Sequence, residues 1–233
     1  MKGRLYGVGV GPGDPELITV KALRVIRECD LIGIPAGSPD SCTAYQIARR
    51  AVPEMEKKPV VCVPIPMTND RDRLELSYGE GSRKLMEQLE NGKQIAFLNL
   101  GDPVVYGTYM RLHEKVQRAG YEAELVSGVP SFCAVAAELG IPLALGTEQL
   151  HILPGYDLGE EMEGFSGTRV LMKSGGKVKA VKEKLQELET SGRARSHAVV
   201  NCGMEDQRVC RKIGDLDENA GYFTTIIVKE MEE

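Results

Sequence analysis

The chain has 233 residues, a length that accommodates one large or two small globular domains. Its net charge of −5 is spread without runs of either sign, which argues against a nucleic-acid partner. Glycine accounts for about 11 per cent of the residues, compared with a usual share of about 7 per cent. Five of the 26 glycines lie within the first 13 residues, and this clustering is the most unusual feature of the composition.

The six cysteines are scattered and form no C-x-x-C pair, so the sequence predicts no protein-bound metal. The first 14 residues contain no apolar stretch of signal-peptide length. No segment contains the roughly 20 apolar residues that cross a bilayer. We therefore expect a cytoplasmic protein with no membrane partner.

The first half of the sequence alternates short apolar runs with amphipathic segments. Residues 5–10 predict a buried strand, residues 11–15 predict a turn, and the next helix can be N-capped by Asp14 or Thr19. A strand at 31–35 completes a βαβ unit, which indicates a parallel sheet with a right-handed crossover. The further predicted elements are helices at 43–51 and 70–91, strands at 60–63 and 95–100, and a helix that ends near Ala119 before Gly120.

The second half repeats the alternation with shorter spacings. Its predicted elements are strands at 122–126, 149–153, 168–172, 197–201 and 223–229 and helices at 131–139 and 177–190. We therefore predict an α/β fold of two lobes, residues 1–119 with a mostly parallel sheet and residues 120–233 with a mixed sheet. Because small ligands bind at the carboxyl ends of strands and between lobes, the active site is expected in the cleft between the two lobes.

The first glycine-rich segment, Gly7 to Asp14, follows the first predicted strand. It does not match the dinucleotide fingerprint G-x-G-x-x-G, since Pro12 or Asp14 stands at the third glycine position, and the P-loop pattern is also absent. The glycines still permit a close backbone approach at the end of the strand. A tight structural turn is the alternative to a ligand-facing loop.

A second loop, Gly101-Asp102-Pro103, follows the apolar strand at 95–100. An Asp-Pro turn that only starts a helix is the structural alternative. The two loops are predicted to follow adjacent strands, and each places an aspartate near the loop backbone. This arrangement suits a ligand with an ammonium group or ribose hydroxyls better than a ligand with phosphates.

Three later segments carry weaker signals. Ser127 to Phe132 opens a helix of small residues, Leu171 to Gly176 ends a strand, and Gly203 to Gln207 follows another strand. Their structural interpretations are close helix packing, core packing and a solvated acidic surface, respectively.

In these segments the sequence resembles the tetrapyrrole (corrin/porphyrin) methylase family. The similar motifs are G-x-G-P-G-D-P at Gly9, G-D-P-x-x-Y at Gly101, Gly128 to Ser131, Gly140-Ile141-Pro142 and Leu171-Met172-Lys173, in family order over nearly the whole chain. Within the family, segments 65–70, 203–206 and 222–228 most resemble the precorrin-2 C20-methyltransferases and their cobalt-factor II counterparts. Tyr106-Gly107-Thr108 departs from the Y-S-T of this subfamily, and Ser127 and Pro130 depart from its usual proline and serine or threonine.

The resemblance implies an enzyme of cobalamin biosynthesis, usually a homodimer, that transfers a methyl group from S-adenosyl-L-methionine to C20 of precorrin-2 or cobalt-factor II and releases S-adenosyl-L-homocysteine. The residues that it implies for cofactor binding are Pro12, Gly101, Asp102, Pro103, Tyr106, Thr108, Ser131, Phe132, Leu171, Met172, Cys202, Gly203 and Thr225. The candidates for binding the tetrapyrrole are Gly11, Pro12, Gly13, Asp14, Arg71, Arg73, Lys173 and Lys177. The four basic residues would face the substrate carboxylates. None of the three histidines lies in a recognisable motif, so no catalytic base is assigned.

Three alternatives stay open at this point. A sibling enzyme of the same family would methylate another ring carbon. A nicotinamide-dependent oxidoreductase is disfavoured by the failed fingerprint and by the absence of an acid at residues 35–37, after the second strand. A non-catalytic tetrapyrrole-binding module would bind the ligand without turnover.

Overall fold

The structure of the protein, a computed structural model, describes residues 2–154, 164–173 and 177–231. The chain divides into two units, Met1–Pro130 and Ser131–Glu233. The sequence predicts a boundary after residue 119, next to the helix-ending Gly120, which has a φ of +80° in the structure. The next strand nevertheless pairs with the first strand of the chain, and it therefore belongs to the first unit.

The first unit is built on a sheet whose five strands all run parallel. They are β1 (Arg4–Gly9), β2 (Leu31–Ile34), β3 (Val60–Cys62), β4 (Ile95–Asn99) and β5 (Glu122–Val126), in the order β3-β2-β4-β1-β5. The helices between them are α1 (Val20–Glu28), α2 (Thr43–Ala51), α3 (Arg71–Glu90) and α4 (Tyr109–Arg118). The predicted alternation and its parallel sheet are confirmed.

The two faces of this sheet are buried by different helices. Ala96 and Leu98 of β4 belong to a core that also contains buried residues of α1 and α2. Ile95 and Phe97, which alternate with them, belong to a second core with buried residues of α3 and α4. Because successive strand side chains point to opposite faces, α1 and α2 cover one face and α3 and α4 cover the other.

Both predicted capping residues of the first loop are used. Thr19 caps α1, where its hydroxyl oxygen accepts a hydrogen bond from the Ala22 amide at 3.2 Å. Asp14 caps a short 3-10 turn, Pro15–Leu17, by accepting from the Glu16 amide at 2.8 Å. These caps satisfy amides that a helix start leaves without partners and so fix the conformation of the loop that precedes α1.

The second unit is built on a mixed sheet, as predicted. Its elements are α5 (Ser131–Leu139), β6 (Leu150–Pro154), β7 (Thr168–Met172), α6 (Val178–Thr190), β8 (Ala194–Val200), β9 (Arg208–Cys210) and β10 (Thr224–Glu230). The strand order is β6-β7-β10-β8-β9, with β6 parallel to β7 and the remaining neighbours antiparallel. The sequence did not predict β9, because this edge strand has three residues and only Cys210 is buried.

Residues of α6 pack with alternate residues of β7, β8 and β10 in a separate apolar core. Across the part of the chain that the structure describes, no helix has both the length and the apolar character that a membrane span requires.

Candidate functional site

The carboxyl ends of β1 and β4 form a topological switch point. The two strands are neighbours, but the chain leaves β1 for α1 on one face of the sheet and leaves β4 for α4 on the other. Ligands of open α/β sheets bind beyond the carboxyl ends of strands at such a point, because the diverging connections leave a crevice there. Both glycine-rich loops identified in the sequence begin at this position.

The two loops are hydrogen-bonded to each other through their backbones. The Gly11 amide donates to the Gly101 carbonyl at 3.3 Å, and the Gly101 amide donates to the Gly11 carbonyl at 2.8 Å. Both residues have positive φ, +76° for Gly11 and +68° for Gly101. Glycine adopts this conformation at little cost, so the glycines at these two positions permit the reciprocal bridge.

The loop after β5 joins the same cluster through Gly128. A Cβ atom built on Gly9 would lie 2.6 Å from the Gly128 amide nitrogen and 2.6 Å from the Gly101 carbonyl oxygen. A Cβ atom built on Gly128 would lie 2.2 Å from that same oxygen. Three loops, each following a different strand, are therefore packed backbone against backbone.

Asp102 connects these loops through its side chain. One carboxylate oxygen accepts a hydrogen bond from the Val104 amide at 2.9 Å, and the other accepts from the Gly128 amide at 3.0 Å. The residue is 7% exposed. The sequence suggested that this carboxylate suits a cationic or hydroxylated ligand, whereas in the structure both oxygens bind protein amides.

The other predicted residues of the two loops differ in exposure. Pro12, Gly13 and Pro103 are buried, Asp14 is half-buried, and Thr108 is exposed at the start of α4. Tyr106 is 44% exposed and has a φ of +49°. Non-glycine residues in this region of φ are uncommon and often lie at functional sites.

A second group of predicted residues lies in the second unit, at the edge of the sheet formed by the carboxyl ends of β7 and β8 and the amino end of β10. Met172 at the end of β7 pairs with Thr225 at the start of β10. Thr225 also pairs with Val199 of β8, so the segment after β8, which contains Cys202 and Gly203, begins at this same edge. Leu171 is fully buried in the core under α6, where its side chain packs among apolar residues.

Asn201 is a residue of this edge that the sequence did not single out. It follows β8 with a φ of +53°, and its side-chain amide donates to Asp206 at 2.6 Å. The Gly203 amide donates to the side chain of Gln207 at 2.6 Å. An asparagine directly after a strand and two residues before a glycine was the available signal, since asparagine tolerates positive φ better than most residues.

The remaining predicted positions are distributed over both units. Ser131 and Phe132 begin α5, and Phe132 is buried. Arg71 and Arg73 are exposed in the first turn of α3 in the first unit. The basic candidates of the second unit are Lys173 and Lys177: Lys173 lies 5.8 Å from the centre of the Tyr222 ring, and Lys177 precedes α6.

The three histidines have hydrogen-bond partners of their own. His113 is buried, with Nδ1 3.1 Å from the Tyr109 hydroxyl, and burial lowers its pKa. His151 contacts the Ser166 carbonyl oxygen at 3.1 Å, and His197 contacts the Arg211 carbonyl oxygen at 2.8 Å. Among residues 2–154, 164–173 and 177–231, no three His, Cys, Asp or Glu side chains are placed to hold a metal ion.

The charged residues of the two loops at the switch point are all acidic. Segments 10–19 and 100–108 contain no lysine or arginine, whereas Asp14, Glu16 and Asp102 are acidic. An anionic ligand such as a pyrophosphate would find no cationic side chain in these segments. The arrangement favours a neutral or cationic ligand held mainly by backbone groups.

Comparison with curated protein sequences gives relatives that match over nearly the full length. The chain is 35% identical over 217 residues to the "Probable cobalt-precorrin-2 C(20)-methyltransferase" of Methanocaldococcus jannaschii, covering 92% of this chain and 89% of the relative. It is 32% identical to the cobalt-precorrin-2 C(20)-methyltransferase of Salmonella typhimurium, covering 100% and 99%. It is 30% identical to the precorrin-2 C(20)-methyltransferase of a Sinorhizobium species, covering 97% and 95%.

Solved structures have the same fold. A cobalt precorrin-4 methyltransferase superposes with a TM-score of 0.71 at 23% identity, covering 97% of this chain and 94% of that chain. The uroporphyrin-III C-methyl transferase from Thermus thermophilus, complexed with S-adenosyl homocysteine, has a TM-score of 0.68 at 22% identity, with 97% of each chain covered. The family model for tetrapyrrole (corrin/porphyrin) methylases matches residues 4–217. The chain therefore belongs to the tetrapyrrole (corrin/porphyrin) methylase family.

Proposed function

We propose that the protein is the C20-methyltransferase of precorrin-2 or of its cobalt-bearing counterpart in cobalamin biosynthesis, with S-adenosyl-L-methionine as methyl donor. The three relatives named above, at 30–35% identity over nearly the full chain, support this assignment. The observation that carries it is the switch point at β1 and β4, where two glycine-containing loops bond to each other and neither contains a basic residue.

The residues present fit a sulfonium ligand. Positive charge on the ligand is compatible with Asp14 and Asp102, and segments 10–19 and 100–108 contribute no competing lysine or arginine. The buried backbone of Gly101 to Pro103 would hold the methionine part of the donor, and Pro12, Tyr106 and Thr108 would flank it. A dinucleotide would instead require a pyrophosphate-binding helix start with the G-x-G-x-x-G spacing, which the loop lacks.

The second unit would contribute the contacts to the adenosine. Ser131, Phe132, Leu171, Met172, Cys202, Gly203 and Thr225 are the residues in question. Thr225 is the most informative of them, because it is 5% exposed and lies where β10 pairs with the ends of β7 and β8. The hydroxyl of its neighbour Thr224 donates to the Gly221 carbonyl at 2.7 Å.

The donor supplies an activated methyl group when bound, so the protein is required mainly to orient it. Fixing two reactants in an attacking geometry can account for roughly 7–11 kcal/mol of barrier reduction. The loops at the switch point are suited to this task, because their conformations are fixed by hydrogen bonds within the protein. No histidine is assigned as a base, since each has a partner elsewhere.

The tetrapyrrole would bind next to the segment Gly11 to Asp14. Its carboxylates would pair with basic side chains, for which Arg71, Arg73, Lys173 and Lys177 are the candidates. These four positions, a homodimeric assembly and a cytoplasmic location form part of the proposal. Light scattering of the purified protein tests the dimer, since a monomer mass would contradict it.

A second candidate, methylation of another ring carbon, is favoured by the turn at Gly107. A Cβ atom built on Gly107 would lie 2.7 Å from the Pro103 carbonyl oxygen, so a serine, as in the Y-S-T motif, would not fit this loop conformation. The loop next to the donor site thus differs from the subfamily pattern at one position. The difference bears on which ring carbon faces the methyl group.

Methyl transfer with purified protein distinguishes these candidates. We expect the protein to add one methyl group at C20 when supplied with S-adenosyl-L-methionine and precorrin-2 or cobalt-factor II, as located by NMR of the product. A methyl group on a different ring carbon would support the sibling activity and contradict the C20 assignment. The ratio of turnover on the two substrates shows whether the enzyme prefers the metal-free or the cobalt-bearing tetrapyrrole.

Calorimetric titration tests the ligand class independently of turnover. We expect binding of S-adenosyl-L-homocysteine and no binding of NAD. Tetrapyrrole binding without methyl transfer to any substrate would indicate a binding module and contradict the enzymatic assignment.

A further inference from the structure

Asp102 lies where three loops meet, and both of its carboxylate oxygens are used within the protein. One bond, to the Val104 amide, closes its own loop, whereas the other, to the Gly128 amide, spans 26 residues of sequence. Gly128 in turn packs against Gly9 and the Gly101 carbonyl. The carboxylate thus joins the loop after β4 to the loop after β5.

A carboxylate is well suited to this position. Each of its oxygens can accept, and hydrogen bonds to an ionised acceptor are about twice as strong as neutral ones. An asparagine would present one oxygen and one NH2 group, so a donor would face one of the two amides. An alanine would leave both amides without this acceptor.

The exposure of Asp102 limits what its side chain can do for a ligand. Only 7% of the surface of Asp102 is accessible, and both carboxylate oxygens accept hydrogen bonds from backbone amides of the protein. The adjacent backbone includes Gly101, which is bonded reciprocally to Gly11. Displacing the carboxylate would therefore move the segments on both sides of the switch point.

We propose that Asp102 is a positioning residue that holds the backbone of the donor site in its binding conformation without itself contacting the donor. This inference rests on the proposed function, because the site in question is the proposed S-adenosyl-L-methionine site. It assigns to Asp102 a different role from the direct cofactor contact that the sequence resemblance implied.

The test compares Asp102→Asn with a matched control, Asp30→Asn. The Asp30 carboxylate also accepts a hydrogen bond from a backbone amide of a distant segment, that of Gln94, at 2.8 Å. This contact lies at the opposite, amino-terminal edge of the same sheet, since Asp30 and Gln94 precede β2 and β4. The control therefore makes the same Asp-to-Asn change at an exposed carboxylate that bonds a backbone amide away from the switch point.

We expect Asp102→Asn to raise the Kd for S-adenosyl-L-homocysteine by about 10- to 100-fold, the effect of losing a hydrogen bond to a charged group. The kcat at saturating donor should fall as well, because the orientation of the bound methyl group depends on the same backbone. Asp30→Asn should leave both quantities unchanged. All measurements are made below the melting temperature of each variant, so that a general loss of stability does not contribute.

Two results would overturn the positioning role. One is wild-type affinity in Asp102→Asn, and the other is an equal loss of affinity in Asp30→Asn. A wild-type protein that neither binds S-adenosyl-L-homocysteine nor transfers a methyl group would contradict the proposed function, and the positioning role with it. Equal binding by the wild type and Asp102→Asn would contradict the positioning role alone.

Amide hydrogen exchange on the wild-type protein gives a second test that does not require a folded variant. If the Asp102 carboxylate keeps its hydrogen bonds to the Gly128 and Val104 amides, both amides are protected from exchange in the free protein. They then remain protected when S-adenosyl-L-homocysteine is bound. Faster exchange of either amide on ligand binding would show that Asp102 turns toward the ligand, and this would overturn the inference.

Discussion

The strand ends of the two units are held in different ways. In the first unit, Gly9, Gly101 and Gly128 come from three loops that are distant in sequence, and Asp102 bonds across them. In the second unit, the side chains of the segment after β8 bond within the segment, Asn201 to Asp206 and Gln207 to Gly203, while the Asn201 amide donates to the Phe223 carbonyl at 2.9 Å.

The difference follows from the direction of the strands. In a parallel sheet the carboxyl ends of all strands meet at one edge, so loops that are remote in sequence become neighbours. In the second sheet, antiparallel pairing puts the start of β10 beside the ends of β7 and β8, and the side-chain hydrogen bonds of the loop after β8 are local. The first arrangement couples distant segments through a side chain, whereas the side-chain contacts of the second are short-range.

The largest effect is expected where the three loops touch. In Gly9→Ala the added methyl group would lie 2.6 Å from two backbone atoms that cannot move aside independently. We expect the free energy of unfolding of the first unit to fall by about 3 kcal/mol, near the upper end for overpacking. Urea denaturation measures it, with Gly37→Ala as control, since nothing lies within 4 Å of a Cβ at Gly37. Equal stability of the two variants would show that the loops separate easily.

A smaller effect is expected from the local Asn201–Asp206 hydrogen bond of the second unit. Asn201→Ala keeps a side chain at a φ of +53° and removes the bond to Asp206. We expect a loss of about 1–2 kcal/mol in the free energy of unfolding, because alanine tolerates the left-handed conformation less well than asparagine and the bond to Asp206 is lost. Asn201→Gly, which relieves the strain, should be less destabilising. If glycine costs as much as alanine, strain at this position is not the determining factor.

The pH dependence of stability should distinguish the two units. Burial lowers the pKa of His113, in spite of an opposing effect from Glu114, so the folded first unit resists protonation. The unfolded chain takes up this proton near pH 6.5, and the stabilisation is therefore present above that pH and lost as the pH falls through it. We expect the unfolding free energy to fall between about pH 7.5 and pH 5.5 in the wild type, and less steeply in His113→Gln. Identical slopes would contradict a neutral buried imidazole.

The smallest effect is expected from a pair of adjacent threonines in β10. Thr224→Val removes the bond to Gly221 and should lower stability by about 1 kcal/mol without changing ligand affinity. Thr225→Val should leave stability unchanged and raise the Kd for S-adenosyl-L-homocysteine by about fivefold, the loss of one neutral hydrogen bond. Unchanged affinity in Thr225→Val would remove this hydroxyl from the proposed adenosine contacts.

The sequence predicted those features that depend on local patterns. The bounds of α2 and α5 agree with the predicted ranges, because amphipathic spacing and small-residue runs are visible over nine residues. The bond between Asp102 and Gly128 has no such local signal, since it depends on the placement of β5 beside β1. The same pairing of β5 with β1 explains why the first unit ends at residue 130 in the structure and not at residue 119, as the sequence predicted.

The Gly11 and Gly101 bridge also bears on the kinetics of ligand capture. Loops rich in glycine lose much conformational entropy when they become ordered, and this cost weakens binding if it is incurred on association. Here the two loops bond to each other through protein backbone groups alone, so we expect this ordering to take place during folding. Association should then be limited by diffusion and docking rather than by loop closure, and differences in affinity among variants should arise mainly in the rate of dissociation.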